Sequence, residues 1–240
     1  MARQVRSEAT RRRILDAAID VFGDVGYAAA GWNTIIERTG MTKGALYHHF
    51  DSKESLASAI IEEGSDVVLT AFRNVCGSSS PALENMIHGT FTLANVFSSD
   101  RLARAAEQLT AALAGFNKAA ARFCESLVDL MAAEARRAKA EGDVRPDLDP
   151  VALSESVLGG VLGTRLLTNA MSATEPAGPL GEQAIVDLVG RPRQIWELVL
   201  AGVATDESLP YFREFLAREA LRHAAPAPQA GPAAVAPEPE

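Results

Sequence analysis

Three observations predict an all-α fold. Apolar residues recur at spacings of three and four along nearly the whole chain, no run of strands can be traced, and no two apolar runs are joined by a two-residue hairpin turn. With 240 residues, 48% of them hydrophobic, the chain can bury a sizeable core in one or two domains. Disorder of the whole is thereby excluded.

The first periodic segment, 7–25, sets Ile14, Ala17, Ala18, Val21 and Phe22 on one stripe, and Gly26 ends it. A short segment from Trp32 to Thr39 presents Trp32, Ile35 and Ile36 on one side and stops at Gly40. Thr42 is suited to cap a second short helix, 44–50, whose Leu46 and Phe50 share a face. Asp51 and Ser52 reopen the chain before a longer amphipathic helix using Leu56, Ala59, Ile60, Val67, Val68 and Val75. Past CGSSSP at 76–81, the helical period predicts helices near 81–97, 100–114, 117–141, 150–171, 183–203 and 210–223. SATEPAGPLGE reads as a connection, and the Pro/Ala-rich stretch 224–240 as a disordered tail. The expected organisation is a smaller front unit over 1–51, a larger helical unit over 52–223 and the tail.

Charge is unevenly spread. The net charge is −8, yet residues 1–13 carry Arg3, Arg6, Arg11, Arg12 and Arg13 against Glu8 alone, a local +4. An acidic body with a basic front end is the asymmetry to explain. Cys76 and Cys124 are too few for a disulfide framework and read as reduced core residues. The polar start is unlike a secretory signal, and no apolar run is long enough to cross a bilayer, so a cytoplasmic protein is expected.

Two short helices joined through Gly40, Met41 and Thr42, the second too small to hold a core alone, fit a helix-turn-helix. Leu46 and Phe50 would pack inward, leaving Lys43, Gly44, Tyr47 and His48 outward. That outer face suits a major groove. Lys43 can neutralise a phosphate or reach a guanine edge, Gly44 allows close backbone approach, and Tyr47 can donate to a phosphate.

Gly26-Tyr27 followed by IIERTGMTKGALYHHFDSKESLASAI resembles the DNA-binding domain of the TetR family of transcriptional repressors. The opening MARQVRSEATRRRILDAAIDVFGDVGY and LGGVLGTRLL at 158–167 are similar to the γ-butyrolactone receptor subgroup. The resemblance implies a homodimeric, all-helical repressor, with operator contacts at Thr42, Lys43, Gly44, Tyr47, His48 and Lys53 and a C-terminal domain that binds a small-molecule inducer. The operator implied is a pseudo-palindrome of double-stranded DNA. Ala30-Gly31 replaces the hydroxyl pair usual in the family at the start of the first short helix, so one phosphate contact is missing. The subgroup's pocket keeps a Trp, whereas here Phe123 falls near that place and the two tryptophans are Trp32 and Trp196. For the ligand, Phe91, Phe97, Phe116, Phe123, Met131 and Leu166 offer apolar walls, and Asn95, Gln108, Thr110 and Thr164 offer polar anchors. Gln108, Phe123 and Thr164 are the favoured set.

Other readings accompany this one. A family member answering to an efflux substrate or a lipid, or a helical carrier without DNA function, would share much of the pattern. No cofactor is expected. Adjacent helix residues point about 100° apart, and no third ligand stands at the usual spacing from His48-His49, so that pair is not read as a metal site. No nucleophile elbow, phosphate loop or dinucleotide fingerprint is present, which argues against an enzyme. The Arg run 11–13 is expected on phosphates. Gly159 and Gly163 are expected at a close helix approach in the dimer, Trp196 in core or interface, and Gly64 either at a packing contact or at a soft point of the helix that transmits the signal.

Overall fold

The computed structural model describes residues 2–76, 80–172 and 180–223, with side chains at all of these except 2–6, 169, 171–172 and 180–189. The expected tail, 224–240, lies outside the described residues, as does most of the connection at 172–182. Among the described residues the chain forms ten α-helices. These are α1 (Ala2–Ala29), α2 (Trp32–Thr39), α3 (Lys43–His49), α4 (Lys53–Cys76), α5 (Ala82–Ser99), α6 (Arg101–Ala112), α7 (Lys118–Glu141), α8 (Pro150–Ser172), α9 (Leu180–Val203) and α10 (Leu209–His223). One isolated antiparallel bridge, Val144 with Ala204, is the sole extended pairing described. No described helix is long and apolar enough to cross a membrane.

The apolar stripe of α1 is buried as its spacing requires: Ile14, Ala17, Ala18, Val21 and Phe22 are all inside. At Gly26 the backbone leaves helical geometry (φ 76°, ψ 161°), so regular α1 breaks where the sequence places its end. Gly40 closes α2 in the left-handed region (φ 63°), where a side chain would be strained, and its N–H bonds Glu37 O. Thr39 Oγ1 stiffens the turn by accepting from Met41 N at 3.1 Å. Thr42 Oγ1 then caps α3 by accepting from Ala45 N at 3.3 Å. Leu46 and Phe50, both buried, join α3 to the core that also holds Ile14 and Ile35.

Helix α4 continues this core into the body, packing on α5, α6 and α7 as well as α1. Its crossing with α6 is tight at Gly64, where a Cβ would stand 2.5 Å from Ala106 Cβ and 2.6 Å from Leu102 O. Gly64 is therefore a close-packing position, with the soft-point reading set aside. Trp196 of α9 is fully buried and donates from Nε1 to Thr90 Oγ1 of α5 at 3.0 Å, so it is core. Within the chain the close approach of α8 to α9 falls at Gly160, where a Cβ would meet Ile195 at 3.3 Å. Gly159 and Gly163 have open space at the Cβ position, so within one chain neither is at a tight helix contact.

Candidate nucleic-acid interface and effector cavity

On α3 the buried and exposed faces separate cleanly. Leu46 is fully buried, while Thr42, Lys43, Gly44, Tyr47 and His48 stand exposed together on the other side. Lys43 Nζ lies 5.7 Å from the Tyr47 ring centroid, one helical turn away, and the Trp32 ring lies 5.6 Å from that of Tyr47. Trp32 thus props the phenol from α2 while leaving it 47% exposed. Nothing approaches the Cβ position of Gly44, so a ligand surface can come close to the backbone there. His48 and His49 are edge to face at 5.4 Å. Partial burial, with His48 and Arg11 close by, lowers the His49 pKa and favours its neutral form.

Three basic residues behave differently from expectation. Lys53 Nζ donates to the carbonyls of Tyr27 at 2.8 Å, Ala30 at 3.0 Å and Ala28 at 3.4 Å, and lies 4.5 Å from the Tyr27 ring centroid. All three ammonium donors are engaged, so Lys53 clamps the end of α1 and the α1–α2 turn onto α4. Arg11 and Arg12 both reach Glu63 of α4, Arg12 at 3.8 Å, and the Arg11 guanidinium lies 5.5 Å from the Phe50 ring centroid. Of the expected phosphate-facing run, two members tie α1 to α4 instead.

The second site is a cavity of about 550 Å³ between α6, α7 and α8. Glu107, Gln108 and Thr110 line it from α6, Phe123, Cys124 and Leu127 from α7, and Leu162, Gly163 and Leu166 from α8. The Gly163 face of α8 is bare of Cβ contacts because it forms this wall. Gln108 and Phe123 are brought together as expected, but Thr164 is not in the lining. Its hydroxyl donates to Gly160 O at 2.5 Å in its own helix. Phe91, Phe97 and Met131 are ordinary core, and Phe116 is 65% exposed.

Two polar features set the chemistry of the walls. Thr110 Oγ1 is buried with no hydrogen-bond partner, a position from which a hydroxyl can bind a carbonyl or alcohol of a ligand. Arg165, inside the GTRLL segment, forms a two-point ion pair with Glu107, Nε to Oε1 at 2.5 Å and Nη2 to Oε2 at 2.9 Å. The guanidinium is nearly fully buried and lies 5.2 Å from the Phe97 ring centroid. This pair fastens α8 to α6 beside the cavity. Sequence reasoning favours Thr164 over its neighbour, since a lone Arg gives no sign of a partner 58 residues away.

A helix-turn-helix head with an open polar face, carried on a helical body with an apolar cavity, defines a DNA-binding regulator. Residues 14–60 match the family described as bacterial regulatory proteins, tetR family. The A-factor receptor protein of Streptomyces griseus is 30% identical over 204 residues, 85% of this chain and 67% of that protein. A solved γ-butyrolactone receptor, described as an ArpA-like protein, superposes with a TM-score of 0.71 at 26% identity, covering 90% of this chain and 99% of that one. CprB from Streptomyces coelicolor, solved in complex with its biological operator sequence, gives 0.68 at 26% identity over 90% and 99% of the two chains. The chain belongs to the TetR family and is a transcriptional regulator of the γ-butyrolactone receptor type, not an enzyme.

Proposed function

We propose that this regulator is a homodimeric repressor that leaves its operator when a small, uncharged, largely apolar molecule, of γ-butyrolactone type, occupies the cavity between α6, α7 and α8. The observation that carries the reading is the position of α6. One side of α6 lines the cavity through Gln108 and Thr110. Its first turns cross α4 at Gly64, and Arg101 hydrogen-bonds the Asp16 carbonyl of α1 at 2.9 Å. A ligand that favours a different α6 position therefore acts on the helices that carry the head, and it shifts the equilibrium only by its differential affinity for the two positions.

In this reading residues 1–51 form the DNA-binding unit and α4–α10, within 52–223, the effector and dimer unit. Two copies of α3 enter successive major grooves of a pseudo-palindrome. Lys43 and Tyr47 contact phosphates or base edges, Thr42, Gly44 and His48 lie against the groove, and Lys53 holds the head in position. Gln108 and Thr110 bind the ligand's polar end, with Phe123 as a flat wall. The second copy covers exposed Leu167 on α8 and Leu198 on α9, which stand at 63% and 83% accessibility.

The test is footprinting of the full-length protein on its own upstream DNA, followed by addition of a γ-butyrolactone bearing an alkyl side chain. Protection should vanish with the lactone for the parent and persist for Phe123→Ala and Gly163→Leu. Protection of no upstream sequence, or release of both variants at the parent's lactone concentration, contradicts the proposal.

A further inference from the structure

The last described helix closes onto α5 through a cluster remote from both sites above. Glu219 and His223 stand one turn apart on α10, so they share a face, and α5 brings His88 opposite them. Glu219 Oε1 is paired with His88 Nδ1 and lies 3.0 Å from His223 Nε2. The three atoms all fall within 4.8 Å of one another.

Their surroundings hold them in place. Glu219 is fully buried, with Oε2 accepting from Arg222 Nη1 at 3.1 Å. The His223 ring stacks on Phe91, with centroids 5.3 Å apart and planes at 23°. Burial by itself pushes the Glu219 carboxyl up, but the hydrogen bonds and charge of His88 and then His223 outweigh it and leave its pKa below the ordinary value. Glu219 Oε1 thus faces a ring nitrogen of each of two histidines. An open cleft of about 600 Å³, lined by Asn74, His88, Phe215 and Arg222 among others, borders the cluster on its His88 side.

Two imidazoles and a carboxylate, with a fourth position left to water, are the donor set of four-coordinate zinc and of related divalent ions. With metal–ligand bonds of about 2.0–2.2 Å, donor atoms of a tetrahedral site lie roughly 3.3 Å apart. To reach that spacing the two imidazole nitrogens draw together while each moves slightly away from Glu219 Oε1. We propose that His88 Nδ1, Glu219 Oε1 and His223 Nε2 bind one divalent transition-metal ion, zinc by chemistry, with water in the fourth position. Each imidazole then carries its proton on the other ring nitrogen, and Arg222 orients the carboxylate from outside the ligand set. The ion fastens α10 to α5. This assignment is independent of the effector reading.

A plain hydrogen-bonded clasp of the same residues makes the opposite prediction about zinc, so the two separate experimentally. Tag-free, chelator-treated full-length protein is titrated with zinc by calorimetry and with cobalt by visible absorption. One zinc per chain with a micromolar or tighter Kd is expected, together with a cobalt spectrum of four-coordinate intensity. At a hundredfold excess over Kd the melting temperature should rise by roughly 5–10 °C. His88→Asn, His223→Asn and the shape-conserving Glu219→Gln should each weaken binding at least tenfold, while a His48→Asn, His49→Asn double variant binds like the parent. Failure of the parent to bind zinc at 100-fold molar excess overturns the proposal, whatever the variants do. So does binding that survives all three substitutions or is lost in the His48, His49 variant.

Discussion

The head and the cavity reach their surfaces by opposite routes. On α3 one short segment, Thr42–Phe50, supplies the cap, the two buried anchors and the open polar face, so its chemistry is local. The cavity draws on three helices separated by up to about sixty residues, and its polar features are a buried ion pair and an orphan hydroxyl that exist only once those helices pack. Changes in the head should therefore alter operator binding with little cost in stability, and changes at the cavity walls should cost stability. Four experiments put that contrast at risk.

The largest effect is expected at the α6–α8 ion pair. Glu107→Ala leaves the Arg165 guanidinium buried without its carboxylate, a defect of about 3–5 kcal/mol. Joint replacement, Glu107→Leu with Arg165→Met, should recover most of that. Urea unfolding of both variants is the check, and a loss under about 1 kcal/mol in the single variant would make the pair incidental.

Next comes the crossing that links the two regions. A methyl at Gly64 would stand 2.5 Å from Ala106 Cβ and 2.6 Å from a backbone carbonyl. Gly64→Ala should cost about 1–3 kcal/mol through overpacking, despite the better helix propensity of Ala. Because α4 and α6 must separate, operator affinity should fall as well. A variant with parental melting and parental affinity would show that the crossing yields freely.

Smaller in stability is the cap of α3. Thr42→Ala should cost about 1 kcal/mol, whereas Thr42→Ser should cost much less. Lys43→Ala should change unfolding by no more than about 0.5 kcal/mol, yet weaken operator binding and reduce the salt slope by about one for each phosphate it no longer neutralises. If Lys43→Ala loses a kilocalorie or more, or binds with the parental salt slope, the head is not the independent surface described.

The mildest probe is the pair of thiols. Burial, then the charge of Glu134, partly offset by Arg137, pushes Cys76 up to about 12. Burial, then Glu125, raises Cys124 too, but that residue is exposed at the cavity wall. An alkylating reagent at about pH 8 should label Cys124 first, and a cavity-bound lactone should slow that labelling without affecting Cys76. Equal protection of both, or of neither, would move the ligand out of this cavity.

Local signals in the chain determined much of this protein. Helix periods, Gly26 and Gly40 as stops, Thr42 as a cap and the two-faced pattern of α3 are all set within a few residues. These fix the fold class and the exposed polar face of α3. Tertiary structure decided what depends on partners distant in sequence: Lys53 bound to carbonyls of the α1–α2 turn, Arg11 to Glu63, Arg165 to Glu107 and His88 to Glu219. Even a legible hint, the one-turn spacing of Glu219 and His223, acquires meaning only when α5 sets His88 against it. The physical reason is that a charged or hydrogen-bonding side chain reads alike in sequence whether it faces water, phosphate or a buried partner, and only packing chooses among them.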